Sequence, residues 1–179
     1  MDNENLTTTQ QQAAVMITPL TGKQRVIATV TITADDGEEI TATQAFDHKP
    51  VKEELTKLIT DEINARTNRK IIEGLTWNGI PVWLSTENQL NFKAAYDLAV
   101  QAGGQNLPVT FKLGEDADGK AVYHTFATTE ELSEFYLASV EHIHQCLEHG
   151  WQLKELAARQ VDEWEQARND KSISEEGEA

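Results

Sequence analysis

The sequence predicts an α+β protein, in which small antiparallel β-hairpins pack with about four α-helices and an N-terminal β-hairpin forms an extension. Three observations support this fold class. Segments that alternate apolar and polar residues are joined by turn signals, which is typical of hairpins. Longer segments repeat apolar residues at helical spacing. Thr followed three residues later by Glu or Gln, the signature of a capped helix start, precedes two of these segments.

The first predicted hairpin occupies residues 25–48. It follows a segment, 1–24, that opens with a polar stretch rich in Thr and Gln and that we predict to be mobile. One face of the hairpin is rich in threonine. The other face is mostly apolar and consists of Val26, Ala28, Val30, Ile32, Ile40, Ala42 and Phe46. Because a lone hairpin is only marginally stable in water, this apolar face must pack on the body of the protein or on a partner.

The predicted α+β body, residues 49–168, begins with a helix. Pro50 suits the first helical position, and acidic residues follow in the first turn, where the helix dipole stabilises them. Apolar residues at helical spacing continue until Gly74, which we expect to end the helix.

The next segment, 75–84, carries the clearest hairpin signal in the chain. Asn78-Gly79 tolerates positive φ at both central positions of a tight turn, and apolar residues flank it. A two-residue turn places Trp77 opposite Ile80, so strand alternation sends Trp83 to the other face of the hairpin. We therefore expect the two tryptophans not to form one patch.

The rest of the body is predicted to contain a second helix, a hairpin, and then a third and a fourth helix. Thr86-x-x-Gln89 predicts the start of the second helix, and a hairpin is expected within 108–126. Thr128-x-x-Glu131 starts the third helix, which Gly150 is expected to break or kink before a fourth. Residues 169–179 are predicted to be an acidic disordered tail.

Composition excludes several classes of function. The chain has 30 acidic and 15 basic side chains, a formal net charge of -15, and nucleic-acid binding relies on clustered Lys and Arg. We therefore expect no nucleic-acid partner. No apolar run approaches the ~20 residues of a membrane span, and the acidic, polar first residues predict no secretory signal peptide. The single cysteine, Cys146, excludes an intramolecular disulfide.

Candidate sites for chemistry are few. His142, Cys146 and His149 are spaced to share one face of the third helix and could bind zinc, but their spacing matches no common zinc motif. The acidic residues at 35–39 and 115–118 favour solvated turns, since neither segment has the Gly and Glu positions of a calcium loop. We find neither a nucleophile elbow nor a phosphate-binding glycine loop. The sequence therefore predicts no catalytic residue, no metal site and no cofactor.

Residues 68–96 resemble a known family. A helix carrying Asn68-Arg-Lys-Ile-Ile-Glu-Gly74 is followed by an aromatic residue, Asn-Gly, a short strand and Ser85-x-x-x-Gln89-x-Asn91. This pattern resembles a domain family of unknown function that occurs in the tail modules of phages and prophages, alone or at the end of tail-fibre proteins. The resemblance spans about residues 55–165, and the family implies no catalytic residues.

The resemblance and the lack of catalytic motifs lead us to expect a phage or prophage tail-associated structural protein that acts by protein–protein contact and is not an enzyme. A tail-fibre assembly chaperone is the alternative, followed by a metal-dependent enzyme. Partners would be other phage structural proteins or a second copy of the chain, in the virion or in the host cytoplasm during assembly. The hairpin at 25–48 would dock by adding to a sheet edge or by self-association. The candidate interface residues are Val26, Val30, Ile32, Ile40, Phe46, Trp77 and Trp83.

Overall fold

The computed structural model describes residues 14–20 and 25–176, with side chains as far as Asp170. Over these residues the chain forms seven strands in small antiparallel sheets and three helices. The predicted α+β class is therefore confirmed, whereas the predicted number of about four helices is wrong. The elements are β1 (Ala14–Pro19), β2 (Val26–Thr33), β3 (Glu39–Phe46), α1 (Lys52–Glu73), β4 (Leu75–Trp77), β5 (Ile80–Val82), α2 (Thr86–Gln101), β6 (Val109–Glu115), β7 (Ala121–Phe126) and α3 (Thr129–Glu176).

The chain divides into two compact units. Unit 1 combines the residues up to Asn64 with those from Trp151 onward, and unit 2 is Ala65–Gly150. Both boundaries fall inside helices, α1 and α3, and not between residues 48 and 49 where the hairpin and the body were expected to meet. The first part of α1 therefore belongs to the same unit as β2 and β3.

Unit 1 is a three-stranded antiparallel sheet with helices on one face. The strands are ordered β1-β2-β3, and β2 pairs with β3 from Val26–Phe46 to Thr33–Glu39. The turn between them holds Gly37 at a φ of 88°, a conformation that a residue without a Cβ adopts at little cost. The core is aliphatic apart from one ring and comprises Ala28, Val30, Ile32, Ala34, Ile40, Ala42, Phe46, Leu55, Ile59, Ile63, Leu153, Ala157 and Val161.

Strand β1 was not predicted. It pairs with β2 so that Ala14 lies opposite Thr31 and Pro19 opposite Val26. It lies within the segment 1–24 that was expected to be mobile; the remaining residues of that segment, apart from Leu20, lie outside the described residues. Its first four residues are all apolar, so the alternation that revealed β2 and β3 is absent from it.

Unit 2 contains two short antiparallel ribbons, β4–β5 and β6–β7, together with α2 and the parts of α1 and α3 that fall within its bounds. Asn78 and Gly79 have φ values of 50° and 78°, so the predicted two-residue turn is confirmed, and Trp77 lies opposite Ile80. Aromatic rings fill much of the core, which comprises Leu75, Trp77, Val82, Leu84, Phe92, Ala99, Leu113, Phe126, Leu132 and Phe135.

The two predicted helix caps differ in accuracy. Helix α2 is capped by Ser85, whose Oγ accepts the backbone N–H of Asn88 at 3.3 Å, so the predicted box Thr86-x-x-Gln89 is displaced by one residue. Ser85 offers the same hydroxyl one position earlier and has the extended backbone that a cap requires. Thr128 caps α3 as predicted, since its Oγ1 accepts the backbone N–H of Glu131 at 3.2 Å.

The predicted break at Gly150 is absent, because α3 is one helix of 48 residues. A single glycine weakens a helix by only about 1 kcal/mol relative to alanine, which is too little to end a helix that packs along its length. Gly150 also has a packing role, since a Cβ added there would lie 2.6 Å from Oγ1 of Thr67 on α1. The helix continues to Glu176, so residues 169–176 of the predicted tail are helical, and 177–179 lie outside the described residues.

Candidate functional site

The predicted interface residues lie mainly inside the two cores. Five of them are at most 9% exposed and a sixth is half-buried, whereas Trp83 is 46% exposed. The apolar hairpin face therefore packs within unit 1 and cannot also bind a partner while that unit is folded. The buried and half-buried residues are Val26, Val30, Ile32, Ile40, Phe46 and Trp77.

The opposite face of the unit 1 sheet carries paired threonines. Oγ1 of Thr29 lies 3.0 Å from Oγ1 of Thr43, and Oγ1 of Thr31 lies 2.8 Å from Oγ1 of Thr41. Such cross-strand pairs stabilise a sheet by roughly 0.2–1 kcal/mol each. We call this surface the threonine face. Its hydroxyls are held in register and face solvent.

The backbone hydrogen bonds show which groups of β3 point outward. Ala34 N–H donates to the carbonyl of Glu38 at 2.9 Å, so this pair and every second pair after it are hydrogen-bonded. Thr41 and Thr43 fall in the alternate pairs, whose N–H and C=O groups point away from β2. In the described ranges no strand pairs with this edge of β3.

This edge lacks the usual protection against pairing. Natural edge strands are commonly blunted by Lys, Pro or a bulge. β3 contains neither Lys nor Pro, and it pairs with β2 without a register shift. Glu39 is the one charged residue in β1, β2 and β3, although charged residues make up 25% of the chain. The free edge of β3 and the adjoining threonine face are therefore the best candidate for a docking surface.

The residues considered for zinc are not arranged as ligands. In the described part of the chain, His142, Cys146 and His149 do not bring three ligand atoms within 4.8 Å of one another. Nε2 of His142 lies 2.9 Å from the backbone carbonyl of Lys70, so this nitrogen donates its proton and has no lone pair for a metal. Burial raises the pKa of the Cys146 thiol and so favours its protonated form, while Lys70 has a smaller opposing effect.

The acidic turns use their carboxylates to fold their own loops. Oδ1 of Asp116 accepts the backbone N–H groups of Asp118 and Lys120, both at 2.9 Å. Oδ1 of Asp36 accepts the N–H of Glu38 at 2.9 Å in the same way. Hydrogen bonds of this kind stabilise a turn locally and are typical of Asp in loops.

His124 belongs to the aromatic cluster of unit 2. Its ring lies edge-on to Trp77, with the centroids 5.1 Å apart, and its Nε2 lies 2.8 Å from Oε1 of Glu131. The hydrogen bond to His124, followed by that from the Ala127 N–H, lowers the pKa of the Glu131 carboxyl. The pair thus joins β7 to the first turn of α3. This structural contact accounts for a histidine at position 124.

Gln160, for which no role was predicted, supports the end of β2. Its side chain is buried, Nε2 donates to the carbonyl of Thr33 at 3.0 Å, and Oε1 accepts the N–H of Thr33 at 3.4 Å. A signal was present, because Gln160 lies three residues after Ala157 on the stripe that faces the unit 1 core.

No helix within the described residues has both the length and the apolar character needed to cross a membrane. A protein-family model described as a domain of unknown function (DUF4376) matches residues 54–171, which is more than half of the chain. The expected membership of a family of unknown function is therefore confirmed, over nearly the span that the resemblance predicted. No curated protein and no solved structure matches the chain.

Proposed function

We propose that this chain, which belongs to the DUF4376 family, is a phage or prophage tail-associated structural protein that acts by protein–protein contact and not by catalysis. The observation that carries the contact is the edge of β3 beside the threonine face, which no other strand within the described residues covers and which carries one charged residue, Glu39. The tail association is supported by the resemblance of residues 68–96 to tail-module domains.

The free edge favours a partner strand over a small ligand. A strand laid along β3 would hydrogen-bond with the outward N–H and C=O groups of Thr41 and Thr43. Backbone bonds of this type supply affinity with little dependence on sequence. Selectivity would come from the threonine face, because alternate side chains of the added strand would continue it.

A proline at Thr43 tests the edge. Thr43→Pro removes one outward N–H group and none that bonds to β2, an orientation in which edge strands tolerate proline. We expect the variant to keep its far-ultraviolet circular dichroism and to be lost from purified particles of a phage that encodes it. The measurement is quantitative mass spectrometry of those particles, with wild-type and variant protein expressed at equal levels.

Thr43→Val is the matched control, since it keeps the backbone N–H and a branched side chain, and it should be incorporated as the wild type is. Equal incorporation of the Pro and Val variants would show that the edge of β3 is not the contact with the partner. A wild-type protein that is absent from particles, yet raises the yield of soluble fibre protein on co-expression, would replace the structural role with that of an assembly chaperone.

A further inference from the structure

Unit 2 contains a groove that the proposed function does not use. It has a volume of about 590 Å³ and lies where β5 approaches β6. The backbone N–H of Trp83 donates to the carbonyl of Leu113 at 2.6 Å, and the backbones come so close that a Cβ on Gly114 would collide with the Pro81 carbonyl. Glycine at position 114 therefore allows the backbones of β5 and β6 to approach this closely.

Trp83 lines this groove on a fixed backbone. Its N–H is held by Leu113, and its carbonyl accepts a hydrogen bond from Nδ2 of Asn88 at 2.8 Å. Asn88 is itself held in the first turn of α2, where its N–H bonds to the Ser85 cap. The Trp83 indole is 46% exposed, whereas Trp77 on β4 is 7% exposed. A large, pre-positioned aromatic side chain in a groove is typical of the anchor of a binding site.

The groove also carries negative charge without compensation. Among its acidic residues, Glu115 pairs with Lys112 at 2.8 Å, while Glu73 and Glu87 have no ion pair within the described residues. Glu87 lies in the first turn of α2, where the helix dipole favours an acid. Glu73 ends α1, where the dipole disfavours one. A cation in the groove would offset that unfavourable position.

We propose that this groove binds an arginine side chain of a protein partner. An aromatic ring attracts a cation that lies over its face, and a guanidinium can stack on the ring while its N–H groups donate to carboxylates. Trp83, Glu73 and Glu87 supply both types of group around one cavity. The chain's formal charge of -15 would also attract a basic partner at long range. The groove belongs to unit 2, whereas the β3 edge belongs to unit 1. The test of the groove requires no phage.

Two peptides separate the charge from the shape of the ligand. The probes are acetyl-Gly-Arg-Gly-amide and the same peptide with neutral citrulline, titrated into the full ¹⁵N-labelled chain up to millimolar concentrations. We expect the indole N–H signal of Trp83, assigned with Trp83→Phe, to shift saturably with the arginine peptide. Binding should be about tenfold weaker with citrulline, and about tenfold weaker to the variant Glu73→Gln, Glu87→Gln.

Trp151 serves as the internal control, because it is 51% exposed and belongs to unit 1. An equal shift at Trp151 would mean non-specific attraction to an acidic protein, and no saturable shift at millimolar peptide would overturn the proposal. Equal affinity for the citrulline peptide would also overturn the proposal. The same conclusion would follow if maltotriose, a neutral sugar, bound at Trp83 and the arginine peptide did not compete with it. Thr43→Pro should leave this titration unchanged, so the two proposals can fail independently.

Discussion

The two units bury different kinds of side chain. In the described residues, Phe46 is the one ring among the buried core residues of unit 1. Unit 2 packs Trp77, Phe92, Phe126 and Phe135 together, with neighbouring centroids 4.9 to 5.5 Å apart. The short β4–β5 ribbon contributes to the contrast. β2 and β3 have eight residues each and present rows of aliphatic side chains, whereas β4 and β5 have three each. A ribbon that contributes so few inward residues needs large ones to fill its core.

The contrast extends to the surfaces. The long strands of unit 1 carry two cross-strand threonine pairs on their outer face, and within the described ranges no strand pairs with the outer edge of β3. The short ribbons of unit 2 meet at Gly114 and leave a groove of about 590 Å³. One unit therefore offers backbone groups to a partner, and the other offers a cavity.

Truncation of a central ring should have the largest effect. Phe135 lies 4.9 Å from the rings of Phe92 and Phe126 and 5.2 Å from that of Trp77, measured between centroids. Phe135→Ala should cost about 3–5 kcal/mol of unfolding free energy, measured by urea denaturation. It should also remove much of the near-ultraviolet circular dichroism, because ordered, mutually packed rings produce that signal.

Ile59→Ala is the matched change in unit 1, at a fully buried aliphatic position. It should cost about 2–5 kcal/mol and leave the near-ultraviolet spectrum of the folded protein close to that of the wild type. A large loss of near-ultraviolet signal in Ile59→Ala, at a temperature where the variant is folded, would contradict the assignment of an aliphatic core to unit 1.

Two buried polar side chains among the described residues, Gln160 and Ser139, should differ in how much free energy of unfolding is lost when each is truncated. Gln160 in unit 1 satisfies both backbone groups of Thr33, whereas Oγ of Ser139 in unit 2 donates to the carbonyl of Phe135 within its own helix. Gln160→Ala leaves two backbone groups unsatisfied and should cost about 1–3 kcal/mol by urea denaturation. Ser139→Ala leaves none and should cost about 0.5 kcal/mol. Equal costs would mean that Thr33 finds other partners.

Exchanging glycine and alanine within α3 should destabilise both units, and at Gly150 the effect should oppose the usual preference of helices for alanine. Gly150→Ala gains about 1 kcal/mol of helix propensity but drives a methyl group into Thr67, and overpacking costs about 1–3 kcal/mol. We expect a net loss of about 1 kcal/mol in thermal or urea unfolding. In unit 1, Ala157→Gly should lose about 1–2 kcal/mol, since a buried methyl group and helix propensity both disappear.

The double variant Thr67→Ala, Gly150→Ala identifies the cause. With the threonine side chain removed, adding a methyl group at position 150 should stabilise the protein relative to Thr67→Ala alone. If Gly150→Ala destabilises the protein by the same amount in both backgrounds, a contact other than Thr67 restricts the position.

Local patterns predicted the elements, and distant contacts decided where they differ from the prediction. The alternation in β2 and β3 and the Asn78-Gly79 turn depend only on neighbouring residues. The predictions made from both were confirmed. The close approach of Thr67, which is far from Gly150 in sequence, explains why position 150 is a glycine. No local signal carries that information, so the glycine was interpreted as a break although a single glycine is tolerated within a helix.

The candidate surfaces were only partly predictable for the same reason. Strand alternation correctly separated Trp77 from Trp83, but it could not show which of them would be buried. The apolar hairpin face was assigned to docking because nothing in the sequence showed that α1 and α3 supply its cover. The groove at Trp83 requires the contact with Leu113, which joins two ribbons that are separate in sequence.

The smallest expected effects are those of pH, and a histidine–carboxylate pair in each unit contributes to them. In unit 1, hydrogen bonds to Asp47 and then to Glu54 raise the pKa of His48 above its usual 6.5. This stabilisation is fully present below pH 6.5 and is lost as the pH rises through the raised pKa. We expect the His48 ring protons to titrate above pH 6.5 by NMR, and Glu54→Gln to lower that midpoint. A wild-type midpoint at or below 6.5 would contradict the arrangement. Since the pair is exposed, its contribution to stability is small.

In unit 2 the corresponding pair acts on the acid side. The pKa of Glu131 is lowered from 4.5, first by His124 and then by the Ala127 N–H, so its stabilisation is present above pH 4.5. It is lost as the pH falls through the lowered pKa. Glu131→Gln should therefore reduce stability at neutral pH slightly and flatten its decline below pH 4.5, as measured by urea unfolding at a series of pH values. Asp47 and Glu54 in unit 1 also have lowered pKa values. The loss of stability below pH 4.5 should therefore be smaller in Glu131→Gln than in the wild type, but it should not disappear.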